Sequence, residues 1–209
     1  MTYTSIRDQR RSFMEEYKKE DHIVLPGYNK VVLSAPHGVS QVRLGRHKGK
    51  EIGSVNMVLA VQQLTHSFAI LKTCNNHDDA NFDEYSPYKN ALNEIVEKEK
   101  IQYVIDFHGL ASKRPMDVNL GINLGHNIDT NPSLIDPLIQ QLTKHGFIVS
   151  IDQPFAGGGN TIAGSVKRRY PGVWAMQVEV NCAITNQRKN AKRFEQLVDI
   201  MTTWIKGLQ

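Results

Sequence analysis

The hydrophobic pattern predicts strands and helices that alternate along the chain. Short apolar runs that end at turn residues are typical of buried strands, whereas apolar residues spaced three or four positions apart are typical of helices. The predicted strands are Lys30–Ala35, Ile101–Phe107, Val118–Leu124, Phe147–Asp152 and Trp174–Val180. The predicted helices are Ser5–Glu20, Gly53–Leu71, Tyr88–Lys100, Pro132–Gly146 and Asn190–Leu208. The predicted loops are a polar stretch, Thr73–Pro87, and a glycine-rich stretch, Ala156–Thr161.

This alternation indicates an α/β protein. Strands that alternate with helices form a mostly parallel sheet with helices on both faces, which is a three-layer αβα arrangement. The chain has 209 residues, which lies in the size range of one domain, so we expect residues 1–209 to form a single domain.

Composition and charge exclude several classes of protein. The chain is 40% hydrophobic and 22% charged, as is usual for globular proteins, and no apolar run approaches the roughly 20 residues that span a bilayer. The N-terminal segment is charged throughout and lacks the apolar core of a signal peptide, which favours a cytoplasmic location. The net charge is +4, but basic residues are scattered among acids, so we expect neither nucleic acid nor a membrane as a partner. Nothing in the pattern bears on the oligomeric state.

Two histidines lie at matching positions. His37 and His108 each follow a predicted buried strand and precede a glycine. Ligands of an open α/β sheet bind beyond the carboxyl ends of its strands, so both side chains can face one crevice. A lone histidine is more often structural, but two at equivalent strand ends favour a shared metal ion. Catalytic zinc typically has three protein ligands and one position for water, so an acidic third ligand is required.

Glu51 is the candidate for that third ligand. It follows the loop after the first strand and opens the next helix, from which its side chain can turn back toward the strand end. The alternative is that Glu51 only stabilises the N-terminus of this helix. Asp106 can orient the imidazole of His108, because side chains two positions apart in an extended segment share a face. Other acids considered as ligands are Asp78, Asp79, Asp83 and Glu84.

Glu179 is the candidate catalytic residue. It lies near the end of an otherwise apolar strand, where a carboxylate is costly unless it is paired or lies beside a metal. As a general base it can take a proton from water and pass it to a leaving amine. The alternative is a structural carboxylate, with these possible partners: Arg168, Arg169 and Arg188.

The segment after residue 156 is the candidate substrate-binding region. Its glycines lack the lysine and the spacing of a phosphate-binding loop, so we predict a mobile loop that covers the substrate and includes Gly158. Arg168 and Arg169 follow this loop and can pair with a substrate carboxylate, although surface charge is an equal alternative. The segment His77–Asp79 is predicted to be a solvated polar loop rather than a metal site.

With these residues in place, the chain resembles the N-formylglutamate amidohydrolase family, whose fold is related to that of the zinc carboxypeptidases. Each motif is weak alone, but the set occurs in the family's order over about 150 residues, which makes it fairly specific. The segments that carry the resemblance are Ala35–Gly38, Val104–Gly109, Asp117–Gly121, Pro154–Gly158 and Val173–Asn181.

The resemblance implies a mixed central sheet of the zinc carboxypeptidase or phosphorylase/hydrolase-like kind, one bound Zn²⁺ ion and hydrolysis of an amide. The roles that it implies by position are His37, Glu51 and His108 as ligands, Glu179 as the catalytic carboxylate and Arg169 as a carboxylate clamp. Asn81, a candidate substrate contact, is followed by Phe82 where the family has an arginine. This departure leaves the identity of the substrate open.

The predicted function is a zinc-dependent hydrolase that cleaves an amide bond of a small N-acylated or γ-linked amino acid bearing a carboxylate. One alternative is a carboxypeptidase-like peptidase that acts on cell-wall or poly-γ-glutamyl peptides. A second alternative is a catalytically silent binding protein with the same fold, because function resides in the site rather than in the fold.

Overall fold

Strands and helices alternate over most of the protein. The computed structural model describes residues 3–208, with side chains described within 6–186 and 189–208. The helices are α1 (Tyr3–Glu16), α2 (Ile52–Thr65), α3 (Pro87–Glu99), α4 (Asp136–Lys144), α5 (Ile162–Arg169), α6 (Cys182–Thr185) and α7 (Gln187–Lys206). The strands are β1 (His22–Leu25), β2 (Val31–Ala35), β3 (Gln41–Arg43), β4 (Arg46–Lys48), β5 (Phe68–Lys72), β6 (Tyr103–Leu110), β7 (Val118–Gly121), β8 (Val149–Ile151) and β9 (Trp174–Asn181).

Seven strands form one mixed, mostly parallel sheet in the order β1-β5-β2-β6-β9-β7-β8. The central strands β5, β2, β6 and β9 are parallel to one another, while β1 runs antiparallel to β5 and β7 runs antiparallel to β9. The outermost strand, β8, is parallel to β7. The remaining strands, β3 and β4, form a separate hairpin. The parallel centre places the carboxyl ends of β2, β6 and β9 side by side.

Apolar side chains cover both faces of the sheet, which confirms the predicted three layers. In β2, Val31 and Leu33 belong to the core that includes α2 and α7, whereas Val32 belongs to the core that includes α3 and α5. This alternation follows from the two-residue period of a strand. Since β2 is buried on both faces, it reads as a continuous apolar run in the sequence.

The predicted helix Gly53–Leu71 is wrong in its last part, because α2 ends at Thr65 and Phe68–Lys72 is strand β5. His66 ends the helix in the left-handed conformation (φ 54°), and β5 is then inserted between β1 and β2. Short apolar runs fit a buried strand and a buried helix equally well, and only pairing within the sheet distinguishes them.

Several short elements were not predicted. The sequence pattern missed β1, the β3–β4 hairpin and α5, all of eight residues or fewer. The helix predicted to begin at Pro132 begins at Asp136, after a single 3₁₀ turn. Within the described residues, none of the helices is both long and apolar enough to cross a bilayer.

Candidate metal centre

Three side chains converge at the carboxyl ends of β2 and β6. His37 lies just beyond β2, His108 lies on β6 and Glu51 immediately precedes α2. The two Nδ1 atoms of His37 and His108 are 3.2 Å apart. Glu51 Oε1 lies 2.9 Å from His37 Nδ1, and Glu51 Oε2 lies 3.2 Å from His108 Nδ1. One donor atom from each residue lies within 4.8 Å of the others. The structure thus brings together the three residues predicted as metal ligands.

The environment of Glu51 argues against a role in capping its own helix. Its carboxylate makes no capping hydrogen bond to α2. Instead, Oε2 accepts a hydrogen bond from the backbone N–H of Gly109 (2.9 Å), and the backbone N–H of Glu51 donates to the carbonyl of His37 (2.8 Å). Burial raises the pKa of the Glu51 carboxyl, but His37 and His108 outweigh it and hold this pKa well below its ordinary value. Glu51 therefore offers an ionised carboxylate to the centre.

A buried carboxylate orients each imidazole from behind. His37 Nε2 donates to Asp79 Oδ1 (2.9 Å), and His108 Nε2 donates to Asp106 Oδ2 (2.8 Å). Both aspartates are completely buried. The other oxygen of Asp106 accepts from Ser34 Oγ at 2.7 Å. The structure thus places Asp106 in contact with His108, and the ring orientation leaves both Nδ1 atoms directed at the centre.

These carboxylates also shift the titration of the two imidazoles. Burial lowers the pKa of His37, but Glu51 and Asp79 outweigh burial and raise it. Burial also lowers the pKa of His108, but the negative charge of Asp106 is the largest of the effects that raise it. The pKa of His108 is therefore well above its ordinary value. The centre is therefore an environment that favours a positive charge.

The donor geometry fits a zinc ion. A neutral imidazole that donates from Nε2 carries a lone pair on Nδ1, so with both imidazoles neutral and no cation present, two lone pairs and a carboxylate oxygen would face one another. A cation between them would remove this repulsion. Zn–N bonds of about 2.0–2.1 Å in a tetrahedral site would place two nitrogen ligands about 3.3 Å apart, close to the observed 3.2 Å between the Nδ1 atoms.

Glu179 lies beside this centre on the neighbouring strand. It pairs with His108 in the β6–β9 register and is only 4% exposed. Its carboxylate accepts a hydrogen bond from Gln177 Nε2. Burial raises the pKa of the Glu179 carboxyl, an effect that His108 opposes and the negative charge of Glu51 reinforces. Glu179 is thus a poorly solvated carboxylate that is able to bind a proton.

The arginines considered as partners of Glu179 lie elsewhere. Arg168 donates to Gly159 and Asn160, and Arg169 contacts Tyr170 and Glu97 at the surface. The side chain of Arg188 is outside the described residues. Among the described side chains, the hydrogen bond of the Glu179 carboxylate comes from Gln177, which does not support the alternative of an arginine-paired structural carboxylate.

An open cleft of about 810 Å³ lies over the centre. Its lining includes Asn81 and residues of the glycine-rich loop, Gly158 among them. The loop is tied to the sheet because Asn119 Nδ2 donates to the carbonyl of Phe155 (2.8 Å). Asn81 Oδ1 accepts from the backbone N–H of Ile162 (2.8 Å), which joins the segment of Asn81 to the start of α5. Gly158 and Asn81 therefore both line the cleft.

The structure does not bring Arg168 or Arg169 to the cleft. Neither is among its lining residues, and the side chain of Arg169 is 59% exposed, with its Nη2 3.3 Å from Glu97 Oε1. Both residues lie on α5, whose N-terminus, rather than its last turn, meets the cleft. The predicted carboxylate clamp at Arg169 is therefore not supported, because the helix carries this side chain away from the centre.

The expectation of a solvated loop at His77–Asp79 is wrong for Asp79. This residue is completely buried, and its carboxylate accepts from His37 and Arg43 and from the backbone N–H of Asn81. These contacts outweigh the effect of burial and lower the pKa of Asp79 from 3.8 to about 2. Its place two positions before Asn81, a candidate substrate contact, was the signal that could have identified it.

Arg43 is a cleft residue that the sequence did not reveal. It lies on β3, and its Nε and Nη2 are 2.8 and 2.7 Å from Asp79 Oδ2. Its guanidinium lies 4.8 Å from the centre of the Phe82 ring. An arginine is thus present next to the position where the family resemblance expects one, but it comes from another element. No motif marked β3, so nothing in the sequence pointed to Arg43.

Comparisons with known structures identify the fold. The chain is similar to the crystal structure of N-formylglutamate amidohydrolase from Ralstonia eutropha JMP134, with 14% identity, a TM-score of 0.63 and coverage of 88% of this chain and 95% of that one. It is also similar to a bacteriophage poly-gamma-glutamate hydrolase, with 13% identity, a TM-score of 0.57 and coverage of 90% and 91%. A metallo-carboxypeptidase from Pseudomonas aeruginosa gives 12% identity, a TM-score of 0.58 and coverage of 96% and 69%.

The sequence comparisons identify the family. No curated protein matches the chain. The family model described as N-formylglutamate amidohydrolase matches residues 81–185, just over half of the chain. This match includes His108 and Glu179, whereas His37 and Glu51 precede it and are brought to the same centre by the fold. The chain therefore belongs to the N-formylglutamate amidohydrolase family.

Proposed function

We propose that the protein is a zinc-dependent hydrolase that cleaves an amide bond of a small N-acylated or γ-linked amino acid. The observation that carries this proposal is the convergence of His37, Glu51 and His108 beside the buried carboxylate of Glu179. Catalytic zinc sites combine three such ligands with one open position.

Family membership indicates a hydrolase that acts on amide bonds. The similar structures support the same class, since one is described as a poly-gamma-glutamate hydrolase and another as a metallo-carboxypeptidase. The metal requirement is supported by this second description and by the spacing of the donor atoms. The donor set of two imidazoles and one carboxylate favours zinc over calcium or magnesium, which prefer oxygen ligands.

A zinc ion held by these residues would act as a Lewis acid on the scissile carbonyl and would make water a stronger nucleophile. Asp79 and Asp106 keep the Nδ1 atoms of the two histidines directed at the centre, because each holds the opposite ring nitrogen. Glu51 contributes negative charge, and the N–H of Gly109 holds its carboxylate in place.

Glu179 supplies the proton transfers. Its raised pKa brings it closer to the range in which a general base works well. It takes a proton from the attacking water and later delivers that proton to the leaving nitrogen. The hydrogen bond from Gln177 orients the carboxylate for both steps.

The lining and the volume of the cleft indicate what kind of substrate it holds. Gly158 and Asn81 lie on its walls and are proposed to contact a small molecule or short peptide that carries a carboxylate. A second candidate function, a peptidase acting on poly-γ-glutamyl or cell-wall peptides, is favoured by one observation. The cleft is open, and its volume of about 810 Å³ exceeds what a single acylated amino acid fills.

Metal analysis tests the zinc centre. We expect about one zinc ion per purified chain, and loss of that ion in a His37→Ala, His108→Ala double variant. His145→Ala is the matched control, because His145 is exposed and hydrogen-bonds within α4. Metal-free wild-type protein of normal stability would argue against the proposal.

Kinetics test the role of Glu179. We expect Glu179→Gln to keep its zinc but to lose roughly 10²–10⁴-fold in turnover, the usual scale of general acid–base catalysis. A panel of N-acyl amino acids and γ-glutamyl peptides identifies the substrate and separates the two candidate functions. Unchanged turnover would remove Glu179 from the mechanism, and no turnover of any panel member by the zinc-loaded wild type would favour a binding protein.

A further inference from the structure

The cleft is predominantly acidic, yet it contains a rigidly held guanidinium. Its lining includes the carboxylates of Glu51, Asp83, Glu84 and Glu179, while its lysine and arginine side chains are Lys48 and Arg43. These carboxylates repel a substrate that bears a carboxylate, and besides a bound metal ion the lysine and arginine side chains are the groups that offset the repulsion. The position of the two basic residues therefore bears directly on which substrates can enter.

Arg43 is the better placed of the two cations. Its Nε and Nη2 atoms contact Asp79 Oδ2 at 2.8 and 2.7 Å, and the guanidinium stacks on Phe82 with 4.8 Å to the ring centre. Lys48 is exposed on β4 and has a flexible side chain. A cation already held in one orientation loses less entropy when it binds an anion. Arg43 is therefore a preorganised anion-binding group.

Neutralising Asp79 does not use all of the donors of Arg43. A guanidinium has five N–H donors in a planar fork. The contacts to Asp79 involve Nε and Nη2, and within the described part of the chain Nη1 makes no hydrogen bond. The side chain remains 27% exposed where it lines the cleft. Arg43 can thus hold Asp79 on one edge and present donors to a ligand on another.

We propose that Arg43 is the residue that binds the carboxylate of the substrate and so selects acids over neutral amides. This inference rests on the proposed amide hydrolysis. Arg43 lines the same cleft as His37 and Glu179, so a substrate that reaches the centre can also reach the guanidinium. Arg43, from the β3–β4 hairpin, thereby takes the role that the sequence suggested for Arg169.

The kinetic experiment compares two substrates and four proteins. The substrates are the best acid of the panel and the same compound with its carboxylate converted to a carboxamide. We expect Arg43→Ala to lower kcat/KM for the acid by about 10–100-fold more than for the carboxamide, the scale of a charge-assisted hydrogen bond, because any loss of support for Asp79 lowers both by the same factor. Arg43→Lys recovers part of the loss. Arg46→Ala is the control, because Arg46 faces Arg43 across the hairpin but is exposed and not part of the cleft lining.

A merely structural role gives a different pattern. If Arg43 only supports Asp79 and His37, then Arg43→Ala lowers kcat/KM for acid and carboxamide by the same factor and reduces the zinc content. This outcome would overturn the inference while leaving amide hydrolysis intact.

Binding measurements separate the inference from the proposed function. Calorimetry measures the binding of N-acetylglutamate and of its analogue with both carboxylates converted to carboxamides. The proteins are zinc-loaded Glu179→Gln, with and without Arg43→Ala. Binding of the acid that requires Arg43 supports the inference even if the wild type hydrolyses no panel member. Equal binding of acid and carboxamide, or the absence of binding, would contradict it.

Discussion

In the candidate metal centre, His37 follows β2 and His108 lies near the end of the neighbouring parallel strand β6. Each histidine precedes a glycine, but the two are supported in different ways. His108 is held by Asp106, two positions earlier on its own strand. His37 is held by Asp79, which lies 42 positions away in a loop that Arg43 stabilises. One imidazole is therefore oriented by local sequence and the other by tertiary contacts.

The two glycines that follow these histidines differ in the space around them. A Cβ atom at Gly38 would lie 2.6 Å from the carbonyl oxygen of Lys72 and 2.9 Å from Val55. A Cβ atom at Gly109 would have its nearest neighbours at 3.5 Å, an ordinary contact. In the repeated His-Gly dipeptide, both histidines face the same centre, but only Gly38 lies where a side chain would clash. Similar motifs can have matching chemistry without matching structural constraints.

The largest effect is expected from removing the negative charge of Asp79 or of Asp106, the carboxylates that hold the two histidines. Asp79→Asn and Asp106→Asn should each weaken zinc affinity by up to about 100-fold, because the residue behind a ligating histidine fixes its orientation and raises its basicity. Competition with a chelator measures this change. Asp129→Asn is the control, since Asp129 contacts Lys167 and Trp174 rather than the centre. An effect of only one of the two variants would show that the local and the long-range support are not equivalent.

A smaller effect separates the two glycines. Gly38→Ala should lower the free energy of unfolding by about 2 kcal/mol, because the new methyl group meets a backbone carbonyl that cannot move freely. Gly109→Ala should change it by about 0.5 kcal/mol or less. Urea denaturation of both variants tests the difference. Equal destabilisation would mean that the β6 strand end is as tightly constrained as the β2 strand end.

The smallest effect concerns the loop that supports His37. Buried Lys72 lies 2.8 Å from Asp78, next to Asp79, and 2.5 Å from Asp21. Burial raises the pKa of Asp21, but hydrogen bonds with His22 and Lys72 outweigh it, so the pKa falls from 3.8 to about 2. Since the folded pKa is depressed, the stabilisation is complete above about pH 4 and is lost as pH falls toward 2.

Asp21→Asn should flatten this part of the pH dependence, measured as the urea midpoint between pH 5 and pH 2. Hydrogen exchange in residues 73–83 should rise at a higher pH than exchange in β6. Asp136→Asn, a change at an exposed carboxylate at the start of α4, is the control. Simultaneous opening of both regions in acid would argue against separate support for the two histidines.

Local patterns predicted much of the fold and part of the site. The apolar runs of β2, β6 and β9 were visible because strands buried on both faces are apolar throughout. The sequence placed Asp106 beside His108 because two positions in a strand return to the same face. The same reasoning misassigned Phe68–Lys72, since a five-residue apolar run has no period that distinguishes a strand from a helix.

By itself, the sequence determined the strand–helix alternation, the two strand-end histidines and the buried Glu179, because each is a property of residues that are neighbours in the chain. Only the tertiary structure decided that Asp79 orients His37, that Arg43 lines the cleft and that Arg169 lies away from it. These contacts join positions 36 or more apart in the chain. No local preference specifies them, because they form only when sheet pairing and helix packing place the loops together.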